Sequence, residues 1–116
     1  MLSCDVFMIS VKQEVSSSEE LERLSQQVPS NEELERLSHK LKKWKTVGRR
    51  LGIEEATLTA ISKENEEYFE KTYQMLLNWK GRESSAATYQ VIHEALCHEL
   101  VERADLADEL YSRKLR

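Results

Sequence analysis

The chain has 116 residues, the length of one ordinary domain, with 40% hydrophobic and 33% charged residues. Three glycines and one proline leave little turn punctuation, which argues against an all-β fold and suits long helices joined by short links. The net charge of −4 argues against general affinity for nucleic acid, and no apolar run approaches the roughly 20 residues of a membrane span.

The first thirty residues are unlike the rest. Val6, Phe7, Met8, Ile9 and Val11 form a β-prone run that is read either as the remnant of an upstream domain or as a leader. Met1 to Ile9 carries no basic start, and Asp5 interrupts its apolar stretch, so it is not read as a secretory signal. Ser16-Ser17-Ser18 reads as a linker. The stretch 19–25, Glu-Glu-Leu-Glu-Arg-Leu-Ser, recurs letter for letter at 32–38. Two copies at a spacing of 13 residues are too few and too short for a solenoid. Each copy follows a capping-box pattern, Ser17 with Glu20 and Ser30 with Glu33. This predicts a marginal helix at 18–27 and a firm one at 31–42 built on Leu34, Leu37 and Leu41.

A short helix at 43–51 follows, with Trp44, Val47 and Leu51 on one face. Gly52 is placed where a helix ends in a left-handed residue, and Ile53 re-enters the core. Glu54-Glu55 open a helix to about 63 with Leu58 and Ile61 inward. Asn65 is the expected cap of a helix at 66–80 with a stripe of Phe69, Tyr73, Leu76 and Leu77 and an inward Trp79, ended by Gly81. Ser84-Ser85 are expected to cap a helix at 86–99 lined by Tyr89, Ile92, Leu96 and Leu100. A last helix at 103–113 contributes Leu106 and Leu110, and residues 113–116 form a cationic tail. The sum is an all-α bundle of six helices from residue 31 onward, with an extra N-terminal segment.

Few residues suggest chemistry. His93 and Cys97 share a helix face, and His98 lies beside them, but a structural zinc site takes four ligands and no spacing supplies the others. Cys4 and Cys97 fit neither a metal site nor a disulfide framework, which points to free thiols in a reducing compartment and a cytoplasmic protein. There is no phosphate-binding glycine loop and no nucleophile with a base beside it. Adjacent acids such as Glu66-Glu67 diverge on a helix and make poor acid–base pairs. No catalytic residue, metal or cofactor is expected.

Charge is the clearer signal. Lys40 to Arg50 holds six cations and no acids, whereas Glu54 to Glu70 holds six acids and one lysine. Interspersed charges would solubilise the chain equally well. Complementary patches on one small domain suit head-to-tail contact between copies or relatives.

The set Trp44-x-x-Val47-Gly48-Arg49-Arg50-Leu51-Gly52-Ile53, then Leu58 and Ile61 before Asn65, then Tyr73-x-x-Leu76-Leu77-x-Trp79, then Ala87-Thr88, resembles the death domain over residues 31–112. The resemblance implies a six-helix antiparallel Greek-key bundle without catalytic activity, assembling homotypically with itself or with other death-domain proteins in apoptotic or inflammatory signalling. The binding surfaces it implies are Lys43, Lys45, Arg49 and Arg50 against Glu54, Glu55, Glu64, Glu66 and Glu67. Gly48 stands where the family usually has alanine, and Glu54 where a serine, aspartate or threonine is commoner. Partners expected are proteins, with neither nucleic acid nor membrane insertion. The alternative is a helical nucleic-acid-binding domain using residues 40–50.

Overall fold

The computed structural model describes residues 17–115, with side chains for 19–112; the apolar run at 6–11, Ser16 and Cys4 lie outside it. Seven α-helices follow one another with no strand among the described residues: α1 (Ser17–Ser25), α2 (Asn31–Lys40), α3 (Trp44–Arg50), α4 (Glu55–Glu64), α5 (Tyr68–Glu83), α6 (Tyr89–Cys97) and α7 (Ala104–Leu115). A single 3-10 turn, Ser84–Ala86, joins α5 to α6. α5 runs through the centre, packed by α2, α3 and α4, and α7 closes the other side on α6, α1 and α2.

The letter-for-letter repeat has a packing reason. In both copies the two leucines and the serine turn inward: Leu21, Leu24 and Ser25 in α1, Leu34, Leu37 and Ser38 in α2. Each buried serine donates to the carbonyl three residues back, Ser25 to Glu22 at 2.7 Å and Ser38 to Glu35 at 2.6 Å. Such a bond keeps the hydroxyl satisfied away from water. α1 is thus part of the common core rather than a marginal appendage. Ser30 caps α2 as the capping box predicts, accepting from the Glu33 N–H at 3.2 Å.

α3 follows the sequence closely. Trp44, Val47 and Leu51 are buried, and Gly52 has φ +87, a region that costs glycine no Cβ clash. The Ile53 N–H donates to the Gly48 carbonyl at 2.9 Å and the Gly52 N–H to the Arg49 carbonyl at 3.1 Å. That pair of bonds is a Schellman ending, and it delivers Ile53 into the core.

Several expectations change in the second half. Asn65 does not start α5 but closes α4, its side-chain amide donating to the Ile61 carbonyl at 3.0 Å. The buried face of α5 is Thr72, Met75, Leu76 and Trp79, while Tyr73 and Leu77 are half-buried on its flank. Gly81 does not end that helix. α5 continues to Glu83, where Arg82 donates to the Gly52 carbonyl at 3.3 Å, and it stops at Ser84 with φ +51. Thr88, not Ser84-Ser85, caps α6, accepting from the Val91 N–H at 3.4 Å. α6 ends at Cys97, so Leu100 is 53% exposed in the following link and Val101 is the buried residue instead. α7 reaches Leu115, into the stretch expected as a tail, and its inward set also includes Ala107 and Tyr111.

Candidate interaction surface

On α3 the residues that anchor and the residues that face outward are separate sets, because apolar spacing of three and four leaves the remaining positions to solvent. Lys43, Lys45, Arg49 and Arg50 are all exposed. Lys43 occupies the cap position of α3 and its ammonium donates to the Leu100 carbonyl at 3.2 Å. The Lys45 ammonium lies 5.9 Å over the Trp44 ring, within cation–π range. Arg50 approaches the His98 ring at 3.4 Å. Arg49, Arg50, Val91, Glu94, Ala95 and His98 together line an open depression between α3 and α6.

The acidic residues divide into two groups. Glu54 occupies the N-cap position of α4 without a side-chain capping bond, and Glu55 begins the helix. Glu64 ends the same helix, and Glu66 and Glu67 lie in the link to α5. All five are exposed. The rise of a helix puts the two groups about 13 Å apart. The structure therefore brings together only Arg49 and Glu55 of the predicted set, as an ion pair within one chain. A hydrogen bond from the Arg49 guanidinium, with a further pull from Lys45, holds the Glu55 carboxyl below its ordinary range, and Arg49 is raised by the same bond. Both side chains are exposed, where such pairs contribute little to stability. Lys40, at the edge of the basic run, pairs with Glu109 of α7.

Three exposed apolar residues lie at this surface, Val91 in the depression, Leu100 and Tyr68. Leu100 was placed on a core face by helical spacing, and Tyr68, 50% exposed at the start of α5, had no signal apart from its acidic neighbours.

The His93–Cys97 face is packed rather than open. His93 is 5% exposed, stacks on Tyr111 at 4.7 Å, and its Nδ1 lies 3.9 Å from the Cys97 sulfur. Burial pushes the His93 ring down to about 4. His93 is therefore neutral near pH 7, and the 3.8 Å approach of Asp108 to its Nε2 is not an ion pair there. His98 turns to the opposite side, its Nδ1 accepting from the Leu100 N–H at 3.1 Å. Among the described residues no group of three side chains converges as metal ligands would. Cys97 is not a free thiol, against the expectation from spacing; distance along a chain says nothing of distance in space. Among the described residues no helix is long and apolar enough to cross a membrane.

A family model described as the death domain matches residues 18–114. No curated protein and no solved structure gives a match. Death domains are protein–protein interaction modules of signalling proteins, generally without enzymatic activity, and the all-helical architecture agrees with their six-helix antiparallel Greek-key bundle. The match runs from the start of α1 to the end of α7, and on it the chain belongs to the death-domain family.

Proposed function

We propose that this domain assembles homotypically, with copies of itself or with other death domains, through the cationic outer face of α3 and acidic surfaces at the two ends of α4, in apoptotic or inflammatory signalling. The observation that carries this is the division of labour on α3. Trp44, Val47 and Leu51 fasten the helix to the core, while Lys43, Lys45, Arg49 and Arg50 are exposed, and the contacts they make within the chain lie at the surface. Glu64, Glu66 and Glu67 are likewise exposed. Basic and acidic surfaces that point in different directions on one domain produce head-to-tail contacts, which close into rings or extend into helical stacks. The domain is proposed to begin near Ser17, because Leu21 and Leu24 belong to the same core.

The test is light scattering behind size exclusion at low and high salt over a concentration series. Larger species at low salt that dissolve as salt rises are expected, since solvent-exposed charges are screened beyond about 8 Å at physiological ionic strength. The double reversal Arg49→Glu, Arg50→Glu is expected to weaken association by at least about tenfold while leaving the helical signal intact, because exposed ion pairs add at most about 1 kcal/mol. Association that survives the double reversal removes α3 as the surface.

A further inference from the structure

Of the four tyrosines, Tyr89 and Tyr111 are buried and Tyr73 is half-buried against the core. Tyr68 is the one open to solvent, at 50%. It stands first in α5, and Glu64, Glu66 and Glu67 precede it with Glu70 two residues beyond. The backbone arriving at it is extended: Asn65 has φ −129 and ψ 133, Glu67 φ −80 and ψ 140. Glu67 occupies the cap position of α5 but makes no side-chain capping bond. A first turn without a capping side chain leaves its leading N–H groups to water, and helix ends of this kind open at little cost. The fully buried residues of α5 begin at Thr72 and continue through Met75, Leu76 and Trp79; ahead of them the first turn is held by Phe69, stacked on His39 of α2 at 4.5 Å, and by the Thr72 hydroxyl, which donates to the Tyr68 carbonyl at 3.1 Å, while the Tyr68 ring itself stays in solvent.

We propose that Tyr68 is a phosphorylation site for a protein tyrosine kinase whose substrate cleft is cationic. The phenol oxygen attacks the γ-phosphorus of kinase-bound ATP. The bond from that phosphorus to ADP breaks, ADP departs, and the phenol proton passes to the kinase's base. Glutamates on both sides draw the chain into a cleft of opposite charge, and the approach to the acceptor lies outside a helix, with extended backbone at Asn65 and Glu67. The product carries about −1.5 to −2 added charge at pH 7, placed beside Glu64, Glu66 and Glu67. Only the consequence rests on the assembly reading above: the phosphate strengthens the pull of this acidic surface on the cationic α3 of another copy.

The experiment treats the full 116-residue chain with ATP and a tyrosine kinase that phosphorylates a glutamate-rich tyrosine peptide, and reads intact mass and peptide maps. One phosphate on Tyr68 is expected, with none on the Tyr68→Phe chain. The Glu66→Lys, Glu67→Lys chain is expected to react at least about tenfold more slowly. Consumption of the control peptide with Tyr68 unmodified overturns the proposal, as does phosphate on Tyr89 or Tyr111 in its place. An unchanged rate in the double charge variant overturns recognition by the acidic flanks. Light scattering of the phosphorylated chain is read separately: phosphate on Tyr68 without any gain in association contradicts the assembly reading and leaves the modification standing.

Discussion

Gly48 and Gly81 both lie inside helices, where glycine costs up to about 1 kcal/mol relative to alanine, but their surroundings differ. A Cβ on Gly48 would stand 2.7 Å from a Leu58 methyl and 3.3 Å from Met75. Both side chains are fully buried, so neither moves without displacing the core. Overpacking of this kind costs about 1–3 kcal/mol, more than the propensity gain. Gly48→Ala is therefore expected to lose about 1 kcal/mol, and the alanine usual in the family does not fit beside this leucine and methionine. A Cβ on Gly81 meets nothing within 4 Å, so Gly81→Ala gains close to 1 kcal/mol. Thermal unfolding checks both: at about 4–8 °C per kcal/mol for a domain of this size, the two alanines shift the midpoint in opposite directions. Shifts of the same sign refute the packing argument.

Among the elements, α1 shows how a helix weak by its own sequence becomes fixed by its neighbours. It is nine residues long, below the length at which an isolated helix holds in water. Leu21, 2% exposed, and Leu24 belong to the main core, and α1 packs on α7 and α6. Leu21→Ala is expected to cost about 2–5 kcal/mol, the range for leucine truncation in a core, read by denaturant unfolding. A change within about 0.5 kcal/mol, the range for a surface substitution, means that α1 lies outside the cooperative unit. α3 and α4 behave differently. Their apolar faces fix them to the core, and the Arg49–Glu55 pair fills part of the charge that the sequence offers to partners. A partner that engages Arg49 must therefore compete with a solvated carboxylate one helix away.

For the whole molecule the buried histidine sets a stability limit in acid. A histidine in the unfolded chain titrates near 6.5, and burial holds His93 at about 4 in the fold. Between those values the unfolded chain binds the extra proton, so stability is intact above pH 6.5 and falls as the pH is lowered. Below about pH 4 the full amount, about 3 kcal/mol, is lost. The facing Asp108 carboxyl is raised by burial and acts in the opposite sense on acidification, so the slope is cleanest in an Asp108→Asn background. Chemical denaturation from pH 7 to pH 4 is expected to show the decline there, and His93→Phe to flatten it. A slope unchanged by that substitution assigns the acid limit to other groups.

The sequence by itself determined where helices begin and end to within a few residues, and it determined α3 almost completely. Trp44, Val47 and Leu51 carry the only apolar spacing available there, and Gly52 is the residue that tolerates the left-handed ending. The exposure of the nine charged residues assigned to partner binding was also legible, because a solvated charge needs nothing from the rest of the chain. What only the tertiary structure decided is which of two competing faces is buried, and which charges meet. On α5 the expected inward residues Leu76 and Trp79 are fully buried, but Phe69, Tyr73 and Leu77 are half-buried on the flank, and Met75, outside the expected stripe, is fully buried. Which of these lies deepest is decided by α2, α3 and α4, which arrive from earlier in the chain and pack on α5. Leu100 continued the spacing of α6, yet the helix stopped three residues before it and left it in solvent. Arg49 and Glu55 read as opposing surfaces for two molecules, and the tight turn after α3 brought them together in one. Periodicity fixes directions around a single helix axis. The angle between axes is set by contacts between residues far apart in the chain, and no local pattern encodes it.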